Sequence, residues 1–502
     1  MDENPLDLAL AANLTALRKQ FAGADDVVFR ELTLGKRKLP ALMAFFDGLV
    51  NHQALDRLTA VLTVDFPEET GGKTPPQQLA ELMRSRVIPV GEVREVPTLG
   101  EAVQGMLEGE VLVFFDGCPT ALAAAVQGGE LRSISEPISE PVVQGPRAGF
   151  IEDLAVNLSL VRRLLRDPNL KAERSSVGAR TRTRVAVLYL SDLVNPEVLG
   201  EVRRRLATVQ IDGTASAGTV GQMIEDRWTS PFPQIEATER PDRMVLALLE
   251  GRVGILVDNT PFTLIVPSTF NSMMHSPEDY AIRWPLATFS RFIRFFAVII
   301  TLVLPAFYLA LVTFHPEMLP TRLLVSIGVS AEDVPYPMMV EVLLLQLAIE
   351  LIREAGLRMP TQLRQNLAVV GGLIVGQAAV QAGLVSTVTV VVVAVTGLSI
   401  FAVPTFPLAY ALLLCRFALI LAAGTLGLFG LVTGLLMLLT HLVSLRTFGV
   451  YYTEPEVPAH FTSWKDTVLR APSPALQTRP AEYHPQDARR AADARPEVGG
   501  DG

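Results

Sequence analysis

Near Trp284-Pro285 the chain changes the solvent it is suited to. Residues 292–314, FIRFFAVIITLVLPAFYLALVTF, hold one charge, Arg294, close to their start. The roughly twenty residues after it carry none, and as a helix rising about 1.5 Å per residue they span a bilayer core of roughly 30 Å. The first half reads as soluble α/β protein, and the stretch from Trp284 to about Arg446 reads as membrane. Any function therefore joins a large aqueous region to a polytopic helical one.

Composition agrees. Only 19% of the 502 residues are charged and 49% are hydrophobic, with a mean hydropathy of +0.34, whereas soluble chains carry about 25% charged residues. A net charge of −9 with no basic stripe argues against nucleic acid as a partner. Two distant cysteines, Cys118 and Cys415, supply neither a disulfide framework nor a metal site, which fits a reducing cytosolic face. The N-terminal MDENPLDLALAANL is acidic and has no basic stretch before an apolar one, so it does not read as a signal peptide. Arg283, Arg291 and Arg294 precede the first span, and Arg446 and Lys465 come after the last. The positive-inside rule then puts the N-terminal region and the C-terminal tail in the cytoplasm, with an even number of crossings.

The soluble half contains a repeat. LEGEVLVFFDGCPTAL (107–122) and LEGRVGILVDNTPFTL (249–264) align without a gap 142 residues apart, each reading as a β-hairpin with Asp116 or Asp258 in its turn. At an offset of 144, Leu49-Val50-Asn51 matches Leu193-Val194-Asn195, and Asn13-Leu14 matches Asn157-Leu158. Chance likeness of generic hairpins is one account. Two blocks at nearly one offset favour tandem α/β units of ordinary domain size. The expected organisation is a first α/β unit over 1–132, a Pro-, Gly- and Ser-rich linker over 133–150 and a second unit over 151–284. A transmembrane helical domain of four to six crossings comes next over 285–450, then a disordered tail over 451–502. Gly145–Gly149 lacks the Lys-Ser/Thr of a phosphate loop and reads as linker. The basic clusters around Arg162 and Arg180–Arg184 read as solvated or interface faces.

In the membrane half, four apolar segments lie beyond the first span: 338–352, 367–385, 387–403 and a long continuous one over 418–445. Gly372, Gly376, Ala379 and Gly383 give the small-residue spacing of packed membrane helices. Gln346, Glu350, Arg353 and Glu354 share one helix face, with Glu341 nearly opposite. Ionisable groups at membrane depth are costly and mark a pathway or a contact, so Glu341, Gln346 and Glu350 are candidate pore residues. An interfacial helix with its polar face among headgroups is the competing reading. Gln377 and Gln381, one turn apart, join the candidate pathway list but suit inter-helix hydrogen bonds better. HEXXH, GXSXG and Walker motifs are absent, and no catalytic, cofactor-binding or metal-ligating constellation stands out, so an enzyme is not expected.

Several strings carry a family resemblance. They are Glu136-Pro137 to Glu140 with Gly145-Pro146-Arg147, Ser230-Pro231-Phe232-Pro233-Gln234, Thr238-Glu239-Arg240-Pro241-Asp242 and Pro277-Glu278-Asp279-Tyr280. In the membrane half they are His315-Pro316-Glu317-Met318, Glu350-Leu351-Ile352-Arg353-Glu354-Ala355-Gly356, Gly376-Gln377-Ala378-Ala379-Val380 and Ser444-Leu445-Arg446-Thr447-Phe448-Gly449-Val450. From about residue 130 to 455 the chain resembles the A subunits of GerA-type spore germinant receptors, more than their paralogue, stage V sporulation protein AF. The first unit and the tail match weakly, and Asn271-Ser272 stands where the family often has aromatic residues.

The resemblance implies a multi-pass protein of the spore inner membrane that works with receptor B and C subunits. It implies a homo-oligomer in contact with membrane lipid, forming a nutrient-gated channel for monovalent cations. Glu136, Glu140, Arg147, Glu239, Arg240 and Asp242 are then candidate assembly and gating residues. A non-conducting scaffold of the germination complex is the alternative, and a secondary transporter is weaker because no inverted repeat is visible.

Overall fold

The computed structural model describes residues 4–34, 39–63, 93–126, 128, 136–137, 139–142, 144–358 and 376–490. The chain divides into two compact units. One, the α/β unit, takes 1–225, 235–267 and 478–490; the other, the helical unit, takes 226–234 and 268–477.

The α/β unit holds two lobes with one plan. Lobe 1 runs α1 (Leu10–Gln20), β1 (Val27–Leu34), β2 (Leu39–Phe46), α2 (His52–Thr63), β3 (Val93–Val96), α3 (Leu99–Leu107), β4 (Val111–Phe115) and β5 (Ala121–Ala124). Lobe 2 repeats it as α4 (Leu154–Leu164), β6 (Leu170–Val177), β7 (Thr183–Leu190), α5 (Pro196–Thr208), β8 (Glu236–Thr238), α7 (Pro241–Leu249), β9 (Val253–Val257) and β10 (Thr263–Val266), with an added helix α6 (Ala217–Ile224). Each counterpart begins 142 to 144 residues after its partner. Strand order is β1-β2-β4-β5-β3 in one sheet and β6-β7-β9-β10-β8 in the other. In both, neighbours pair antiparallel.

The matched residues have matched work. Asp116 Oδ1 accepts from the Leu10 amide and Asp258 Oδ1 from the Leu154 amide, so each hairpin turn satisfies the start of its lobe's first helix. Asn13 exchanges two hydrogen bonds with the backbone of Asp7, and Asn157 does the same with Ile151. Asn51 and Asn195 accept from Gln53 and Glu197 at the starts of α2 and α5. The left-handed residue each turn needs is Gly117 in one lobe (φ 77°) and Asn259 in the other (φ 65°). The LMAFF run of β2 is apolar throughout because its sheet is covered on both faces. Met43 and Phe45 enter one core cluster, and Leu42, Ala44 and Phe46 the other.

Arg162, expected on a solvated or interface face, is fully buried between the lobes. Its Nε and Nη2 donate to Asp26 at 2.8 and 2.9 Å, its Nη1 donates to the Leu170 carbonyl, and its guanidinium lies 4.5 Å from the Phe46 ring centre. The tail also departs from the expected disorder. Arg479 Nε donates to the Leu249 carbonyl, Gln486 bonds the carbonyls of Leu193 and Val194, and Tyr483 is buried beneath Arg252. Residues 491–502 lie outside the described residues.

The helical unit begins at 268, ahead of the expected boundary at 284, and also includes 226–234. That loop belongs there because Phe232 is buried in the unit's core near Tyr452. Short helices α8 (Phe270–Met274) and α9 (Glu278–Ala281) lead into α10 (Trp284–Phe314), succeeded by α11 (Thr321–Ala331), α12 (Met338–Arg358), α13 (Gly376–Gln381), α14 (Thr387–Ser399) and α15 (Phe406–Ser444). Ser272 closes a capping box with Thr269 at the start of α8, a local role for part of the Asn271-Ser272 departure. A two-residue hairpin, β11 (Arg446–Thr447) and β12 (Val450–Tyr451), turns through Phe448 and Gly449, both at positive φ.

Among the described residues two helices, α10 and α15, are long and apolar enough to cross a membrane; α11 and α14 are shorter and apolar. The segment expected to run unbroken over 418–445 is interrupted at Gly427 (φ 63°, ψ −143°). A side chain built at Gly434 would meet Leu419 and Ala422, which an unbroken helix would hold roughly 18 Å or more away. The chain therefore folds back on itself there. Residues 359–375, including Gly372 and the first part of the expected 367–385 segment, lie outside the described residues.

In the purified full-length chain, Asp26→Ala strands a buried guanidinium and is expected to cost about 3–5 kcal/mol, read as a lowered denaturation midpoint. The paired change Asp26→Leu with Arg162→Met should cost less, and an equal or greater loss would refute the ion-pair account. Gly427→Ala forces a side chain into a positive-φ bend with Phe314 only 3.0 Å away. A loss of about 1–3 kcal/mol is expected, and an unchanged thermal midpoint in detergent would show that the bend is not required.

Candidate functional site

The polar residues of α12 are held in two separate settings. Glu341 is buried, and its Oε1 accepts from the Ser386 amide at 2.5 Å, at the cap of α14. Ser386 Oγ, Thr389 Oγ1 and the Tyr308 hydroxyl continue the chain of contacts at 2.8 and 3.2 Å, which ties α10, α12 and α14 together. A carboxylate facing the N–H groups of a helix start is a stabilising arrangement, which gives Glu341 a structural role at this cap.

Glu350 is not a bare carboxylate. Arg353 lies 2.6 Å from one oxygen and Arg416, on α15, donates to the other at 2.8 Å. Arg353 also lies over the Tyr410 ring, 4.8 Å from its centre. One acid between two guanidiniums leaves the cluster net positive. Arg416 is fully buried, and its Nε and Nη1 have no hydrogen-bond partner among the described residues. Gln346, one turn before Glu350 on the same face, is also fully buried, with neither amide atom partnered among the described residues. Glu354 instead pairs with Arg358 at the surface. Gln377 and Gln381 are both exposed. Thus Gln346 and Glu350 fall together, Glu341 lies apart and the two later glutamines join neither.

The linker residues form a different assembly, inside the α/β unit. Arg240 is fully buried; it donates to both Asp242 oxygens at 3.1 and 2.8 Å and to the carbonyls of Pro146 and Glu140. Glu140 accepts from Thr238 and pairs with Arg243, which with Arg252 also grips Glu236. Burial alone would raise the Glu236 carboxyl, but the two guanidiniums hold it down at about 2. Its stabilising contribution is therefore present above the ordinary carboxylate range and lost only as pH falls through about 2. Glu239 accepts from the Ser139 amide. Glu136 and Arg147 meet only each other among these groups, in an exposed pair at 3.2 Å. Glu140, Glu239, Arg240 and Asp242 thus bind the linker to its own lobe 2, while Glu136 and Arg147 pair within the linker.

Sequence reasoning missed two charged groups. Arg416 is a lone charge in an apolar run, which is itself a signal. Asp279, fully buried, receives Arg291 at 3.0 Å and Arg294 at 2.7 and 2.6 Å; Arg291 also reaches Asp466, which accepts from the Tyr280 hydroxyl. Two arginines counted as topological markers are therefore neutralised at the start of α10. Among the described residues no group of three or more His, Cys, Asp or Glu side chains could hold a metal ion.

The linker geometry separates Arg147 from Asp242. Arg147→Ala removes an exposed pair and should change stability by no more than about 1 kcal/mol. Asp242→Ala leaves Arg240 buried without its acid, and a loss of about 3–5 kcal/mol is expected. Thermal denaturation of the two purified variants checks this, and equal midpoints would contradict it.

Comparison with known proteins gives the relationship. A family model described as Bacillus/Clostridium GerA spore germination protein matches residues 15–482. The chain is 39% identical to Spore germination protein KA of Bacillus subtilis (strain 168), covering 97% of this chain and 89% of that one. It is 38% identical to Spore germination protein B1 of the same organism, covering 96% and 99%. Among solved structures it is similar to the N-terminal domain of the A subunit of the Bacillus megaterium spore germinant receptor GerK3. That match has 30% identity and a TM-score of 0.43, and covers 54% of this chain and 99% of that one. The extent of the family match and the level of identity mean that the chain belongs to the GerA family of spore germination proteins.

Proposed function

We propose that the chain, whose family places its role in spore germination, is the A subunit of a nutrient germinant receptor. Several copies assemble with B and C subunits in the spore inner membrane, with the N-terminal region and the tail in the cytoplasm. They form a germinant-gated channel for monovalent cations. Nutrient bound to a partner subunit shifts a closed–open equilibrium of the assembly. The observation that carries this reading is Gln346, a fully buried amide with no partner among the described residues, beside the Glu350 cluster on a helix of an apolar unit. Unpaired polar groups in apolar surroundings are costly, and a water-lined path or a second copy would satisfy them.

A specific observation favours a second reading. With Arg353 and Arg416 both on Glu350, the cluster is net positive and repels cations, as expected of a non-conducting scaffold of the germination complex or of a barrier that opens only on gating.

Glu350→Gln is a poor test, because it also strips Arg416 of the acid that balances it. Gln346→Leu keeps volume and removes no hydrogen bond to any described residue. In spores carrying this receptor alone, Gln346→Leu is expected to leave the protein at normal abundance and to slow nutrient-triggered potassium efflux several-fold. Normal efflux at normal abundance would remove Gln346 from the ion path and favour the scaffold.

A further inference from the structure

The Ser230-Pro231-Phe232-Pro233-Gln234 string has no part in the ion-path reading, yet it builds a site. Phe232 is buried in the helical core, and Gln234 clamps the backbone of Arg227 by accepting from its N–H at 2.9 Å and donating to its carbonyl at 2.7 Å. Ser230 Oγ lies 2.9 Å from His441 Nε2 on the last turns of α15. Together these contacts fix Arg227 at the edge of an open cavity of about 440 Å³ along that helix. Among the described residues the Arg227 guanidinium has one side-chain contact, Ser444 Oγ at 3.5 Å, too long to occupy its donors.

The cavity is polar at one end and mostly apolar at the other. Arg227, Thr440, His441 and Ser444 line the end near the helix terminus, and Leu436 and Met437, with Thr433, line the part further in. Beside the cavity, and sharing Leu436 with it, runs an exposed apolar stripe of Phe429, Val432, Leu436, Leu439 and Val443, spaced three and four residues apart on one helix face. Trp228, beside Arg227, is 80% exposed, the kind of residue that settles at a membrane–water interface. The carbonyls at the helix end disfavour an anion, so an anion would be held here only through a cation from outside the helix. Arg227 meets that need.

From this polarity gradient we infer that the cavity is a phospholipid site. The phosphate binds Arg227 with help from His441 and Thr440, and an acyl chain lies along Leu436 and Met437 and then Val432 and Phe429. The inference rests on the reading of α15 as membrane-embedded.

The full-length chain, purified in mild detergent and exposed to phosphatidylglycerol, is tested by native mass spectrometry. Wild type should retain bound lipid, and Arg227→Gln, which breaks no close contact, should lower its occupancy roughly fivefold. Thr440→Trp, which fills the cavity, should lower it as well. Equal retention by all three proteins overturns the site. Equal stabilisation of wild type by inorganic phosphate alone overturns the lipid assignment in favour of a free-anion site. Carbonate extraction of cell membranes tests the embedding separately: a chain released to the supernatant defeats the membrane reading itself, whereas a retained chain with equal lipid binding defeats only the site.

Discussion

A guanidinium with no contact to water has to find its counter-charge inside the chain, because desolvating an ion costs several kcal/mol and only a close, well-formed pair returns it. Among the described residues four arginines, Arg162, Arg240, Arg291 and Arg416, are buried to this degree. Each is answered by an acid from another part of the chain or from the same turn. Asp26 joins Arg162 across the two lobes, and Asp242 holds Arg240 against the linker. Asp279 and Asp466 surround Arg291, and Glu350 meets Arg416 between two helices. A slipped helix or a displaced lobe would leave one of these charges unpaired in a dry interior, so each pair penalises misregister.

That constraint changes how the helical unit is understood. A carboxylate in an apolar helix suggests a cation pathway when only the sequence is in view, but Glu350 is already committed to two arginines. Among the described residues of this cluster, Gln346 and two donors of Arg416 remain uncommitted. The groups available to an ion, a water file or a neighbouring copy are therefore neutral or cationic at this point, and conduction of cations requires the cluster to rearrange or to lie outside the narrowest part.

Much of the plan was legible in residue pairs. Asn13 with Asn157, Asn51 with Asn195 and Asp116 with Asp258 stand at matching offsets, and each pair satisfies the same backbone groups in its two lobes. The apolar body of α10 was legible from the uncharged run after Arg294. The bend at Gly427 was not, since Gly424, Gly427, Gly430 and Gly434 share one apolar run and nothing in it marks which of them reverses the chain. The tail was misread for a different reason. Its order comes from scattered anchors, Arg479, Tyr483 and Gln486, that bond carbonyls or stack on a side chain and leave no periodicity to detect. Ion pairs such as Arg162 with Asp26 join residues 136 positions apart, and nothing local in the sequence announces the partner.

The return of residues 478–490 to the α/β unit also sets an order of events. Chains emerge at roughly 5–20 residues per second and fold from the N-terminus, so lobe 2 is synthesised tens of seconds before the segment that completes it. During that interval the carbonyls of Leu193, Val194 and Leu249 wait without Gln486 and Arg479, and Arg252 waits without the ring of Tyr483. Everything from 268 to 477 has to be made first. Lobe 2 therefore reaches its final form only in chains whose helical unit has already left the ribosome.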